Sequence, residues 1–306
     1  MISNNLISGA WFLDGVRSLQ ERITKTQKQI SSGYRIQDAA DSPKDTANVI
    51  GLGTSISSTQ QYLATLGRVG AEASAVDTAL STGITLIDRA RQLAVRAASS
   101  VTSAADRQNI AIEVVNLQQQ IVGIANTTVE GRFVFGGDQD DAQPYQYDAS
   151  SARGADRLTT QTTSRIIEDP HGLPVFAASS ASAIFDAEDA SGAPAATNIF
   201  AGLNSLVTAL NSNDPTAVSG ALSQLRAGSD WLNQKQAGYG ASARRIADET
   251  TLANSFLTGL RSRLSELRDT DIVQAATDLS LQSTAQSAAF SAQASVPRKS
   301  LFDYIG

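Results

Sequence analysis

The chain has 306 residues, enough for two or three modest domains, and its 24 basic and 30 acidic side chains leave a net charge of −6. That balance argues against a general nucleic-acid binder, which needs a basic stripe to displace counterions. The lack of cysteine excludes disulfides, thiolate metal sites and cysteine nucleophiles.

No stretch approaches the ~20 apolar residues of a membrane helix, so membrane insertion is not expected. The start, Met1-Ile2-Ser3-Asn4-Asn5-Leu6-Ile7, has neither the basic region nor the apolar run of a signal peptide. The expectation is a chain that stays inside the cell or leaves by a route reading no cleavable signal.

Leu13, Val16, Leu19, Ile23 and Ile30 keep helical spacing, which predicts a first helix from about residue 8 to Ser32, stopped by Gly33. After a polar connector, Ser42-Pro43-Lys44-Asp45 reads as a helix start. Serine caps, proline suits the first helical position, and an acid sits where a capping box places it. From there a long seam follows. Leu52, Leu66, Ala73, Leu80, Ile87 and Ala94 share one heptad register, broken at Thr59, while Ile56 and Leu63 fill the companion register. Val69 and Val76 continue that companion after a one-residue slip. Such a pattern makes a narrow apolar seam on a long rod, a shape for building and a poor one for enclosing a substrate. Arg89, Arg91 and Arg96, interrupted by Asp88, read as a solvated face.

Ser99 to Thr102 ends this helix, and Ser103 to Asp106 repeats the cap pattern before a third helix carrying Ile110, Val114, Leu117, Ile121 and Ile124. The short connection predicts that the two fold back antiparallel. From Glu130 the period changes. Gly131-Arg132-Phe133-Val134-Phe135-Gly136-Gly137 reads as a short strand bracketed by glycines, and Arg165-Ile166-Ile167 as another, within a turn-rich stretch reaching Ala196. Helices resume with Asn198, and Asp214-Pro215 opens a second long one. Ile246, Ala253, Leu260 and Leu267 stand seven apart, with Leu257 and Leu264 as companions, the antiparallel partner for the earlier seam. The final helix is expected over about Ile272 to Ser295, and no charge falls between Asp278 and Arg298. Small uncharged residues suit packing on several sides, which a lone monomer does not supply.

Catalytic signals are weak. His171, the single histidine, sits in the turn Asp169-Pro170-His171-Gly172 without partners at fixed geometry. Asp138, Asp140 and Asp141 lack the glycine and glutamate of an EF-hand. Gly51-Leu52-Gly53 has no lysine or further glycine for a phosphate loop. No catalytic, cofactor or metal residue is assigned, and an enzyme site within residues 138–196 would lack any convergent constellation.

Against this background, Ile30-Ser31-Ser32-Gly33-Tyr34-Arg35-Ile36 with the acidic stretch through Asp45 resembles the "LSSGLRI…D" segment of bacterial flagellins, and Asp88 to Val95 resembles their "RVRELAV" run. Residues 131–137 and the ending Ser300-Leu301-Phe302-Asp303-Tyr304-Ile305 are similar to the "GRYLFGG" and "SLFDYI" of the family's hook–filament junction branch. Gln92 departs from the usual glutamate. The resemblance covers about residues 1–137 and 200–306 and little of the insert.

The resemblance implies a mainly α fold, a long antiparallel helical bundle or coiled coil formed by both arms with a small β-rich insert. Residues 1–41 with 270–306 would form the inner terminal domain, 42–130 with 198–269 the rod, and 131–197 the outer domain. It implies a structural axial protein of the extracellular flagellum, an adaptor at the hook–filament junction, exported without a cleavable signal peptide. The alternative is a short flagellin forming the filament itself. Implied partners are the first hook-associated protein, flagellin, further copies in a ring and an export chaperone, with no nucleic acid. The packing residues expected from the helical registers, the last helix and the end motif are Leu13, Val16, Ile23, Ile30, Leu52, Ile56, Leu63, Leu66, Leu80, Ile87, Leu260, Leu264, Leu267, Leu279, Phe290, Leu301, Phe302, Tyr304 and Ile305.

Overall fold

The computed structural model describes residues 2–160 and 164–295, and their side chains from residue 10 onward. It is mainly α. In chain order the helices are α1 (Ile2–Ser32), α2 (Pro43–Ala98), α3 (Ala104–Ala125), α4 (Ala181–Phe185), α5 (Ile199–Asn211), α6 (Pro215–Arg268) and α7 (Ile272–Ser295). Between α3 and α4 lie β1 (Thr128–Val129), β2 (Arg132–Phe133), β3 (Tyr145–Tyr147), β4 (Ala155–Arg157), β5 (Arg165–Glu168) and β6 (Pro174–Ala178). The chain divides into two compact units, Met1–Gln60 with Ser255–Gly306, and Gln61–Asn254.

In the second unit the seam of α2 is buried in steps of three and four, at Leu66, Val69, Ala73, Val76, Leu80, Gly83, Ile87, Ala90, Ala94 and Ala97. That spacing keeps one stripe of a 3.6-residue helix against its partners. α6 is one partner, and it runs antiparallel. Tyr62 Oη donates to Glu249 Oε2 at 3.4 Å and Gln236 Nε2 donates to Asp77 Oδ1 at 3.2 Å, so residues later in α2 meet residues earlier in α6. α3 folds back on α2 in the same sense, with Arg89 Nη2 2.6 Å from Glu113 Oε1. At the turn, Arg107 is buried and its Nε donates to Ala97 O (2.9 Å) while Nη2 donates to Ser99 O (3.0 Å), satisfying carbonyls at the end of α2. α5 presses Ile199, Leu203, Leu206 and Leu210 into the same core. It crosses α6 closely enough that a Cβ on Gly228 would lie 2.6 Å from Ile199 Cδ1, which is why a glycine stands there.

The strands are three separate antiparallel hairpins, β1–β2, β3–β4 and β5–β6. In β1–β2, Glu130 (φ 51°) and Gly131 (φ 79°) occupy the two turn positions, the left-handed pair that matches strand twist. The stretch 131–137 is strand only at Arg132–Phe133. Beyond it Val134 and Phe135 turn into the core, Gly137 takes φ 57°, and a Cβ on Gly136 would lie 2.5 Å from Asp140 Cα. The two glycines thus bend the chain where an extended strand was expected. Phe135, Phe185, Phe200 and Tyr145 form the aromatic centre, with the Phe135 and Phe185 rings edge-to-face at 5.3 Å.

Candidate assembly surface

The terminal unit is built around two chain reversals, α1 to α2 and α6 to α7, which meet. Gly33, at φ 76°, ends α1, and its N–H donates back to Gln29 O at 2.9 Å. The next residues leave as an extended segment that bonds the other reversal. Arg35 N–H donates to Arg268 O at 2.6 Å, Ile36 N–H to the same oxygen at 3.3 Å, and Thr270 N–H to Gly33 O at 2.8 Å. Arg35 Nη2 donates to Leu267 O at 2.6 Å, so the segment supplies donors for the orphan carbonyls at the end of α6. Arg268 stacks its guanidinium 3.9 Å over the Tyr34 ring, and Ile36 is buried.

Asp41 steadies the connector. Its Oδ2 accepts from Gln37 N–H (3.0 Å) and Asp38 N–H (3.1 Å), and its Oδ1 lies 2.8 Å from Lys25 Nζ. The Lys25 hydrogen bond and the two amides hold its carboxyl well below the usual carboxylate range. α2 then starts as the sequence pattern requires, with Ser42 Oγ donating to Asp45 Oδ2 at 2.8 Å. Asp271 opens α7, its Oδ1 accepting from Val273 and Gln274 N–H, each at 3.0 Å.

Past the splice, α1 and α7 pair through few buried side chains. Ile23, Thr26 and Ala275 are buried, and Thr26 Oγ1 and Gln286 Nε2 reach Gln282 Oε1 (3.3 Å) and Gln20 Oε1 (2.6 Å). Several other apolar side chains among the described residues face outward. Trp11 is 78%, Leu281 64% and Phe290 52% exposed, with Leu13, Ile272 and Val273 also open.

Of the residues expected to pack, Ile23, Leu66, Leu80, Ile87 and Leu260 are buried, and Val16, Ile30, Leu52, Ile56, Leu63, Leu264, Leu267 and Leu279 are half-buried. Leu13 and Phe290 are exposed. Leu301, Phe302, Tyr304 and Ile305 lie outside the described residues. Missed altogether were Tyr34 and Arg35 as the splice and Arg268 as their partner. His171 stays exposed in its turn, its N–H donating to Asp169 Oδ1 at 2.8 Å.

A polar hub, also missed, fixes the hairpins. Asp186 is 1% exposed and accepts from Tyr145 Oη (2.8 Å), Arg153 Nη1 (2.9 Å), Arg157 Nη2 (2.5 Å) and Asn198 Nδ2 (2.8 Å). Burial beside this carboxylate pushes the Tyr145 phenol far up, so it acts as a hydrogen-bond donor. Among the described residues no group of three His, Cys, Asp or Glu side chains is placed to hold a metal, and no helix is long and apolar enough to cross a membrane.

Long helices seamed by heptads, an SSG turn and exposed apolar side chains on the end helices are features that the resemblance to flagellins leads one to expect. Residues 2–140 match the bacterial flagellin N-terminal helical region. The chain is 26% identical to flagellar hook-associated protein 3 of Escherichia coli (strain K12), over 94% of each chain. Its fold resembles a putative flagellar hook-associated protein from Vibrio parahaemolyticus (TM-score 0.64, 14% identity, 75% of this chain and 100% of that one). Bacillus cereus FlgL is similar as well (TM-score 0.55, 17% identity, 72% of this chain and 100% of that one). The chain is similar to hook-associated protein 3 over nearly its whole length and to flagellins in its N-terminal region, the marks of a structural flagellar component and not of an enzyme.

Proposed function

We propose that this protein is the adaptor at the hook–filament junction of the bacterial flagellum, with assembly as its whole mechanism. The observation that carries the reading is the outward apolar face of α7 and α1, uncharged beyond Asp278 within the described residues, at Leu281, Phe290 and Trp11. Such a face becomes favourable when neighbouring subunits cover it, at roughly 25 cal/mol per Å² removed from water. The partners are the first hook-associated protein on the hook side, flagellin on the filament side and further copies of this chain in a ring. A chaperone holds the chain before export. Residues 1–41 with 270–306 face inward, 42–130 with 198–269 form the rod, and 131–197 face outward.

Immunogold labelling tests the place, and Leu281→Asp tests the mechanism. Label is expected as one band at the outer end of the hook. Leu281→Asp should leave monomer circular dichroism unchanged while the strain sheds filament subunits into the medium. Label along the whole filament would favour a short flagellin, and normal filaments from the variant would move assembly away from α7.

A further inference from the structure

One exposed face of α6 is its own complement when read backwards. Asp248, Leu252, Ser255, Phe256, Gly259 and Arg263 are all exposed, and α6 runs unbroken through them. At 3.6 residues per turn they fall within about a third of the helix circumference, on a stripe about 22 Å long. Ile246, Ala253, Leu257 and Leu260 are buried on a neighbouring stripe, so the exposed one is not part of the core. Leu252 is 63% and Phe256 57% exposed, and a Cβ on Gly259 would meet nothing within 4 Å. Among the described residues Asp248 and Arg263 hold neither an ion pair nor a side-chain hydrogen bond. Beside Arg263 the surface is hollow, with Ala47, Gly51 and Ser55 of α2 lining a recess, so nothing bulky stands where a second helix would lie.

The order of these residues selects both the partner and its direction. Laid antiparallel on a copy of itself, about a two-fold axis at Ser255 and Phe256, the stripe matches at each step. Asp248 then faces Arg263, Leu252 faces Gly259 and Phe256 faces Ser255, and every match occurs twice because both copies offer the same patch. Opposite charges meet, and each large apolar side chain meets a small residue, as a knob meets a hole. One step further out Arg245 faces Glu266, again with opposite charge, although each already holds a bond within its own chain, to Pro174 O and from Ser262 Oγ. A parallel pair in register would instead set Asp248 on Asp248 and Arg263 on Arg263, which like charges disfavour.

We propose that a second copy of this chain docks on this face, giving an antiparallel two-fold pair through α6. Copies in a ring all point the same way, so the pair is a form of the free protein and does not rest on the junction reading. It covers Leu252 and Phe256 before incorporation, and the pair must open for copies to align. With two large apolar side chains from each copy at its centre, the association is weak and concentration-dependent.

The test uses the full-length protein, whose lack of cysteine lets one introduced thiol report its own surroundings. Ser255→Cys, beside the axis, should cross-link to itself under mild oxidation at low salt and high protein concentration. Ala241→Cys lies on the same face two heptads earlier and would stand about 40 Å from its counterpart, so it should not cross-link. Sedimentation then reads the charges. Asp248→Arg or Arg263→Asp alone should weaken the pair about tenfold or more, and the two together should restore it. Added salt should weaken the parent pair. Equal cross-linking at both positions, a double exchange no tighter than the single changes, or a parent that stays monomeric at every concentration would overturn the proposal. So would association without any cross-link from Ser255→Cys, which would place the contact on another face such as α7.

Discussion

The guanidinium of Arg268 lies 3.9 Å over the ring of Tyr34, and the carbonyl of the same Arg268 accepts from Arg35 N–H at 2.6 Å. One residue of the C-terminal arm therefore meets two consecutive residues of the N-terminal arm, once by its side chain and once by its backbone. Arg35→Ala removes the bond to Leu267 O and the weaker pairing with Asp45 at 3.6 Å, and leaves a helix-end carbonyl to water. The expected loss is about 1 kcal/mol. Faster amide exchange over residues 268–275, with the second unit unchanged, is the result that checks it.

Asp186 ties two hairpin arginines, Tyr145 and Asn198 to one buried carboxylate. Asp186→Ala leaves Arg153 and Arg157 sharing the single carboxylate of Glu188, at 2.7 and 3.1 Å, takes the acceptor from Tyr145 Oη and leaves Asn198 Nδ2 with Ala187 O alone. Breaking a buried pair this way costs about 3–5 kcal/mol. Urea unfolding followed by tryptophan fluorescence should show the drop, because Trp231 bonds Ile184 O two residues before this hub.

Gly154 stands at φ 68°, and a Cβ there would overlap the buried amide of Gln118. Gly154→Ala should cost about 1–2 kcal/mol for the left-handed backbone alone, with a further loss from displacing Gln118. Thermal unfolding compared with Gly123→Ala, whose Cβ would meet nothing within 4 Å, separates crowding and strain from a generic glycine effect.

Glu72 gives a pH-dependent outcome with a definite sign. Burial raises its carboxyl above the ordinary glutamate range, more than its ion pair with Arg165 lowers it. The folded state thus holds this proton to higher pH than the unfolded chain. Its contribution is fully present below the unfolded pKa and is lost as pH rises through the folded one. Glu72→Gln keeps an oxygen for Arg165 and removes the titration. The urea midpoint of Glu72→Gln relative to the parent should rise from about pH 4 to about pH 8. A difference that falls over this range would reverse the assignment of burial as the leading cause.

The helices were largely legible because their signals are local. Pro43 opens α2, Ser103 accepts from Asp106 N–H at 3.1 Å, and α7 spans Ile272–Ser295 as its composition suggested. Heptad spacing also exposed the buried stripe through Leu66, Ala73, Leu80 and Ile87. Periodicity names a face, however, and not what covers it. Nothing near Tyr34 in the chain points to Arg268. Asp186 and Tyr145 looked like ordinary turn-region residues until the hairpins brought them together. The hairpins themselves have strands of two to five residues, too short to show alternation.

The splice also sets a timetable for synthesis. Arg35 and its acceptor at Leu267 are 232 positions apart, so the contact cannot exist until most of the chain has left the ribosome. At about 5–20 residues per second, the N-terminal arm waits on the order of ten to fifty seconds for its counterpart. During that interval the carbonyl-seeking segment at Arg35 and Ile36 is open, and any factor that binds the nascent arm competes with water and not with the finished clamp.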